Sequence, residues 1–212
     1  MLNPDFAIIV NITATEGVDP DALVRHARDI GARAIASQQP DLFQAACEKY
    51  TIANLPSQDG RDYPVGQVVD ALVAARQAGQ PLVINFDPDS PEDQEALEEL
   101  NLWMHKYGHA ANDGAPSELT ANADGAFLLT NRHASYQDYL FVKKPFTDEI
   151  EVAGLDQEPN RVEWIDGRVD CPYTFEKKIL KITLPIVEST FTWQVIRIQE
   201  HRPEDDIAET EF

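Results

Sequence analysis

Cysteine, positive charge and long apolar runs are all scarce in this chain of 212 residues. Its two cysteines, Cys47 and Cys171, lie far apart and match no zinc, iron–sulfur or dithiol spacing, so they read as small core residues and neither metal nor cofactor is expected. Lys and Arg number 17 against 37 Asp and Glu, a net charge of −20. That field repels nucleic-acid phosphates and anionic membrane surfaces, which excludes both as expected partners. No apolar run approaches the roughly 20 residues of a membrane span. Met1-Leu2-Asn3-Pro4-Asp5 puts no basic residue ahead of the apolar stretch Phe6 to Val10, so a cytoplasmic location is expected. P-loop, Gly-x-Gly-x-x-Gly and Gly-x-Ser-x-Gly patterns are absent, leaving nucleotide binding and a serine elbow without support. Length adds a limit: a complete (β/α)₈ barrel takes about 250 residues, so this chain cannot hold one beside a second domain.

What is present divides into two halves with different periods. Phe6 to Val10 is a near-continuous apolar run, as expected of a strand covered on both faces. Asp19-Pro20 then supplies a cap and a first-turn proline, Leu23, Ala27 and Ile30 recur at helical spacing, and Gly31 is placed to end the helix. Ala32 to Ser37 predicts a second strand, Pro40 to Tyr50 a helix, and Tyr50 to Asn54 a short third strand. Val65, Val68, Val69, Leu72 and Val73 form the stripe of a helix closed by Gly79, and Pro81 to Phe86 predicts a fourth strand. Ser90-Pro91 opens a last helix that Gly108 is expected to close.

From Asn112 to Ser117 the chain reads as a small, polar linker, and no long helical stripe follows it. Short strand candidates come instead: 126–130, 138–142, 149–152, 161–165, 178–184 and 191–198. Asp124-Gly125 and Asp166-Gly167 supply turns between some of them. The predicted fold is an α/β domain over 1–113, either a truncated β/α barrel or an open parallel sheet with helices. An antiparallel β-sandwich follows over 117–200, then an acidic, disordered tail over 201–212.

Pro81 to Ala111 reads PLVINFDPDSPEDQEALEELNLWMHKYGHAA, and this stretch resembles the end of the catalytic barrel in the α-L-fucosidase family of glycoside hydrolases. There a strand ending Leu-Asn-Ile-Gly-Pro precedes a helix with a Pro-Glu start, a Gln, spaced leucines, a Trp and a closing Asn-Gly-Glu-Ala. Asn85, Pro88, Pro91, Glu92, Gln94, Leu97, Leu100, Trp103, Gly108 and Ala110 fit that pattern. Val68 to Gly79 is similar to the preceding helix, Phe6 to Ile12 to the first barrel strand, and Asp19 to Gln39 to the first helix and second strand. Leu180 to Pro185 resembles a strand of the family's C-terminal sandwich. The resemblance covers nearly the whole chain in two pieces and implies that the middle of the barrel is missing.

Departures from the family pattern bear most on function. Where the family has His-Trp-Gly after its first strand, this chain has Asn11-Ile12-Thr13; where it has His-His-Asp-Gly-Phe, this chain has Gln38-Gln39-Pro40-Asp41-Leu42-Phe43. The family's nucleophile strand falls in the missing middle. Trp164-Ile165-Asp166-Gly167 imitates the nucleophile's surroundings, but Asp166 reads as a hairpin turn. Retaining hydrolysis needs two carboxyl groups about 5 Å apart, and the weak candidates are Asp41 and Asp87, each following a predicted strand. Asn11, Gln38, Gln39, Asn54, Asn85 and Asp87 all map to the carboxyl ends of the predicted strands, where open α/β sheets bind ligands. Carboxamides suit sugar hydroxyls as donors and acceptors but are neither acids nor nucleophiles near neutral pH. His26, His105, His109, His133 and His201 read as surface or partly buried residues without ligand spacing. The resemblance and its departures together imply a fucosidase-like protein that has lost catalysis and binds a carbohydrate. The alternatives are an active glycoside hydrolase with a rebuilt carboxylate site and a non-catalytic structural or interaction protein. Uncovered strand edges further predict a homodimer.

Overall fold

Helix punctuation organises the first half of the chain in the computed structural model, which describes residues 5–201. α1 (Pro20–Asp29) starts where Asp19 accepts hydrogen bonds from the backbone N–H groups of Asp21 (3.0 Å) and Ala22 (3.3 Å), and it stops at Gly31, whose φ of +96° is open to glycine without penalty. α2 (Pro40–Tyr50) closes on Thr51, which adopts a left-handed conformation. Thr51 and Ile52 donate back to the carbonyls of Glu48 and Cys47. Those bonds consume the start of the strand predicted over Tyr50 to Asn54, and β3 forms instead over Ala53–Pro56. α3 (Val68–Gln77) begins later than its apolar stripe suggested, because a turn from Pro64 to Gln67 leaves Val65 exposed. α4 (Pro91–Asp113) is capped by Ser90, which accepts from the Asp93 N–H, and it runs straight past Gly108. A mid-helix glycine costs only about 1 kcal/mol. Tyr107, Ala110, Ala111 and Asn112 continue the buried stripe beyond it.

With β1 (Ile8–Ile12), β2 (Ala34–Ser37) and β4 (Leu82–Phe86), β3 completes an all-parallel sheet in the order β3-β2-β1-β4. Register puts Ile9, Asn11, Ala34, Ala36, Val83 and Asn85 on one face, and Val10, Ile12, Ile35, Ile84 and Phe86 on the other. The first face carries a small cluster of Ile9, Ala34 and Ala36, against which Phe6, Ala53, Leu55 and Val83 pack. No helix among the described residues is long and apolar enough to cross a membrane.

The chain divides into two compact units between Asn112 and Asp113. The second is built of antiparallel strands: β5 (Gly114–Pro116), β6 (Thr120–Ala121), β7 (Phe127–Asn131), β8 (Gln137–Lys143), β9 (Glu149–Ala153), β10 (Arg161–Trp164), β11 (Tyr173–Glu176), β12 (Ile179–Thr183) and β13 (Trp193–Gln199). One sheet runs β10-β13-β8-β7-β5 and the other β11-β12-β9-β6. Their shared core includes Leu140, Val142, Ile196 and Ile198 from the first and Ile150, Val152, Leu180 and Ile182 from the second. Gly114 to Pro116, part of the expected linker, pairs with β7 instead. Asp166 lies in the turn from Ile165 to Arg168 that follows β10. Residues 202–212 of the predicted tail lie outside the described residues.

Two buried carboxylates are fastened within this second unit. Glu163 sits between the guanidinium groups of Arg161, at 2.9 Å, and Arg197. Asp138 accepts from the Thr130 hydroxyl at 2.5 Å, and burial pushes its carboxyl above the ordinary range. Both cysteines are free and buried, and loss of water pushes the Cys47 thiol up to about 11 and that of Cys171 to about 12. Neither is a nucleophile near neutral pH.

Candidate functional site

The carboxyl ends of β1 and β4 bring two carboxamides into direct contact. Asn11 and Asn85 are register partners, and Asn11 Nδ2 donates to Asn85 Oδ1 at 2.8 Å. Asn11 is 4% exposed. Its Oδ1 accepts from Gln58 N (3.1 Å) and from the Ser57 hydroxyl (3.3 Å), so both ends of this carboxamide are engaged. Asn85 is half-buried, and its Nδ2 has no hydrogen-bond partner among the described residues.

Ser57 and Gln58 belong to a strap that leaves the end of β3 and reaches the far side of β4. There Arg61 N donates to Val83 O and Asn85 N donates to Arg61 O, so one residue pairs with the outer edge of β4. Four strand spacings of about 4.8 Å make an arc of roughly 19 Å from β3 to that position. The five residue steps from Pro56 to Arg61 reach at most about 18 Å when fully extended. The sheet therefore curls, and the strap takes the chord across its inner face. Gly60 lies on that chord where a Cβ would collide with Asn85 Oδ1 and crowd Val83, so glycine is required by close approach.

The remaining predicted residues are distributed differently. Gln38 and Gln39 follow β2 and are exposed; Gln39 is the N-cap residue of α2 but lends it no side-chain bond. Asn54 is the second residue of β3 and shares a face with Ile35, away from Asn11 and Asn85. Its Nδ2 donates to Pro40 O and Gln44 Oε1, both at 2.9 Å, which ties β3 to α2 instead of the rim. Asp41 is exposed in the first turn of α2. Asp87 folds its own loop: Oδ1 accepts from Asp89 N at 3.0 Å, and Asp87 N donates to Asp93 Oδ2 at 2.7 Å. Asp41 and Asp87 follow β2 and β4, which stand two strand spacings apart, about 10 Å, with β1 between them. Residues that sequence reasoning passed over, Ser57, Gln58 and Gly60, lie in the strap; Asp59-Gly60 was their sole signal in the sequence.

Both halves of the described chain have solved counterparts. An α-fucosidase from Thermotoga maritima in complex with a mechanism-based inhibitor matches 85% of this chain at 16% identity with a TM-score of 0.54. The fold is that of the α-L-fucosidases. An α-L-fucosidase from Bacteroides thetaiotaomicron matches 89% of the chain at 15% identity and a TM-score of 0.55. A Thermotoga maritima α-L-fucosynthase matches 64% at 22% identity and a TM-score of 0.50. The chain spans 56%, 42% and 33% of these three fucosidase-fold proteins respectively, so it matches a third to just over half of each. No family model and no curated protein sequence matches the chain. The resemblance to α-L-fucosidases read from the sequence thus holds at the level of fold, for a parallel sheet with helices joined to antiparallel sheets.

Proposed function

We propose that this fucosidase-fold protein is non-catalytic and that its strand-end rim takes a neutral carbohydrate. The observation that carries this reading is the Asn11–Asn85 pair. At these adjacent strand ends two carboxamides bond to each other; carboxamides are neither acids nor nucleophiles near neutral pH, whereas retaining hydrolysis needs two carboxyl groups about 5 Å apart. Asp41 and Asp87, two strands apart and engaged in local helix and loop geometry, make a poor acid–nucleophile pair. Asn85 Nδ2, Gln38 and Gln39 offer donors and acceptors to sugar hydroxyls. Asn11 acts as a positioning residue that aims Asn85.

Each such hydrogen bond contributes roughly 0.5–1.5 kcal/mol net, so several must converge for useful affinity. The test is calorimetric titration of the full chain with L-fucose and other monosaccharides. Binding abolished by Asn85→Ala, with circular dichroism unchanged, supports the rim. Binding that survives Asn85→Ala but is lost on substitutions in the second unit moves the carbohydrate site there.

A second reading, a protein that acts through contacts with another copy, is favoured by the edge of β3. That strand pairs with β2 alone among the described residues, and Ala53 and Leu55 remain half-buried. A concentration-dependent dimer in light scattering supports this reading.

A further inference from the structure

His105 and His109 stand four residues apart on α4, a spacing the sequence reading overlooked. Side chains at this interval leave the same helix face one above the other, with Cβ atoms about 5–6 Å apart. Both are exposed, and both line one cavity of about 260 Å³ in the first unit, with Asp29, Gly31, Arg33 and Lys106 around it. Two imidazoles so placed can reach one metal ion, as paired helix histidines do in zinc sites.

His105 is held from its Nδ1 side. Its Nδ1 lies 3.2 Å from Asn101 O and 3.2 Å from Asn101 Oδ1. A backbone carbonyl only accepts, so a hydrogen bond here places a proton on Nδ1, and the neutral ring then presents the Nε2 lone pair to a metal. A ring N–H held by a carbonyl is the arrangement that fixes tautomer and aim in metal-binding histidines.

The field of the backbone favours a cation here. α1 ends at the cavity, with Ile30 and Gly31 in its wall, and α4 lines it with Met104, His105, Gly108, His109 and Asn112. α1 therefore turns the negative end of its dipole toward it. Arg33 and Lys106 oppose a further cation, whereas Asp29 supports one. Among the described residues no group of three or more His, Cys, Asp or Glu gathers around one point. The protein thus offers two ligands, and water fills the rest of the coordination sphere.

We infer that His105 and His109 form a bidentate surface site for a divalent transition-metal ion, binding Cu²⁺ more tightly than Ni²⁺ or Zn²⁺ in keeping with the general order of affinities. Titration of the full chain with Cu²⁺, followed by calorimetry and electron paramagnetic resonance, tests this. One ion per chain with hyperfine coupling to two imidazole nitrogens is expected. His105→Gln and His109→Gln should each weaken binding by about tenfold or more, and the double variant should lose the nitrogen coupling. His26→Gln and His133→Gln, outside the cavity lining, should leave it intact. Unchanged binding in the double variant overturns the inference, as does loss of binding in either control. Several weak sites with oxygen coordination alone, as a surface of net charge −20 could supply, overturn it as well.

Discussion

Gly60 and Asn85 stand so close that a methyl group on the first would overlap Oδ1 of the second. The strap that carries Gly60 crosses the inner face of a four-stranded sheet and pairs Arg61 with β4, at the edge where a full barrel would continue with further strands. It passes low over the strand ends, and the carboxamide of Asn11 holds it there through Ser57 and Gln58. The strap is thus part of the surface at this rim.

Gly60→Ala should therefore destabilise the first unit by about 1–3 kcal/mol through overpacking. In an Asn85→Ala background the obstructing oxygen is gone, and most of that cost should disappear. A double-mutant cycle in urea measures the coupling directly. Independent, additive effects would mean that the strap is not constrained through Asn85.

Asn11→Ala removes a donor to Asn85 and the acceptor used by Ser57 and Gln58. Stranding these partly buried groups costs about 1–3 kcal/mol. The urea midpoint should fall accordingly, while Asn54→Ala should act instead through the β3–α2 connection.

Purified protein should not hydrolyse aryl α-L-fucosides. Release of the aryl group, followed by colorimetry, checks this. Turnover abolished by Asp41→Asn or Asp87→Asn would promote the protein to a hydrolase with a rebuilt site.

Burial first, partly offset by hydrogen bonds from Thr130 and Ser117, holds the Asp138 carboxyl above its ordinary value; burial, with Asp138 nearby, does the same to Glu200. A raised carboxyl binds more protons in the folded than in the unfolded state between the two pKa values. Its contribution to stability consequently falls as pH rises through that window. Asp138→Asn abolishes this dependence, so the variant's stability relative to wild type should increase from pH 4 to pH 7 in paired denaturation curves.

Lys177 and Lys178 form the two-residue turn between β11 and β12, both with positive φ (51° and 65°). Asparagine adopts that conformation more readily than lysine. Lys177→Asn should raise stability by up to about 1 kcal/mol, read from the thermal midpoint, and it leaves the Lys178–Asp156 ion pair in place.

Legibility followed the range of the interactions involved. Asp19-Pro20 and Ser90-Pro91 act within one helical turn, and the starts of α1 and α4 were readable from them. Gly108 misled because its local cost is small beside the burial of Tyr107, Ala110 and Ala111, which depends on neighbours distant in sequence. β11 was missed because the positive φ values of its turn fall on lysines, which carry no turn signature.

By itself the sequence determined the switch of period near Asn112, the parallel sheet with helices in the first half, the antiparallel strands in the second, and the carboxamides near the strand ends. These are encoded in local periodicity and residue type. Tertiary structure alone decided which carboxamides meet. Asn54 and Asn85 look equivalent in sequence, but β3 starts at Ala53, so Asn54 turns to the face of Ile35 and Asn85 to the face of Asn11. A one-residue difference in where a strand begins reverses the face of every side chain along it. The strap was likewise decided in three dimensions, because Ser57 and Gln58 meet Asn11 only where the sheet curls enough for the five residue steps from Pro56 to Arg61 to cross it.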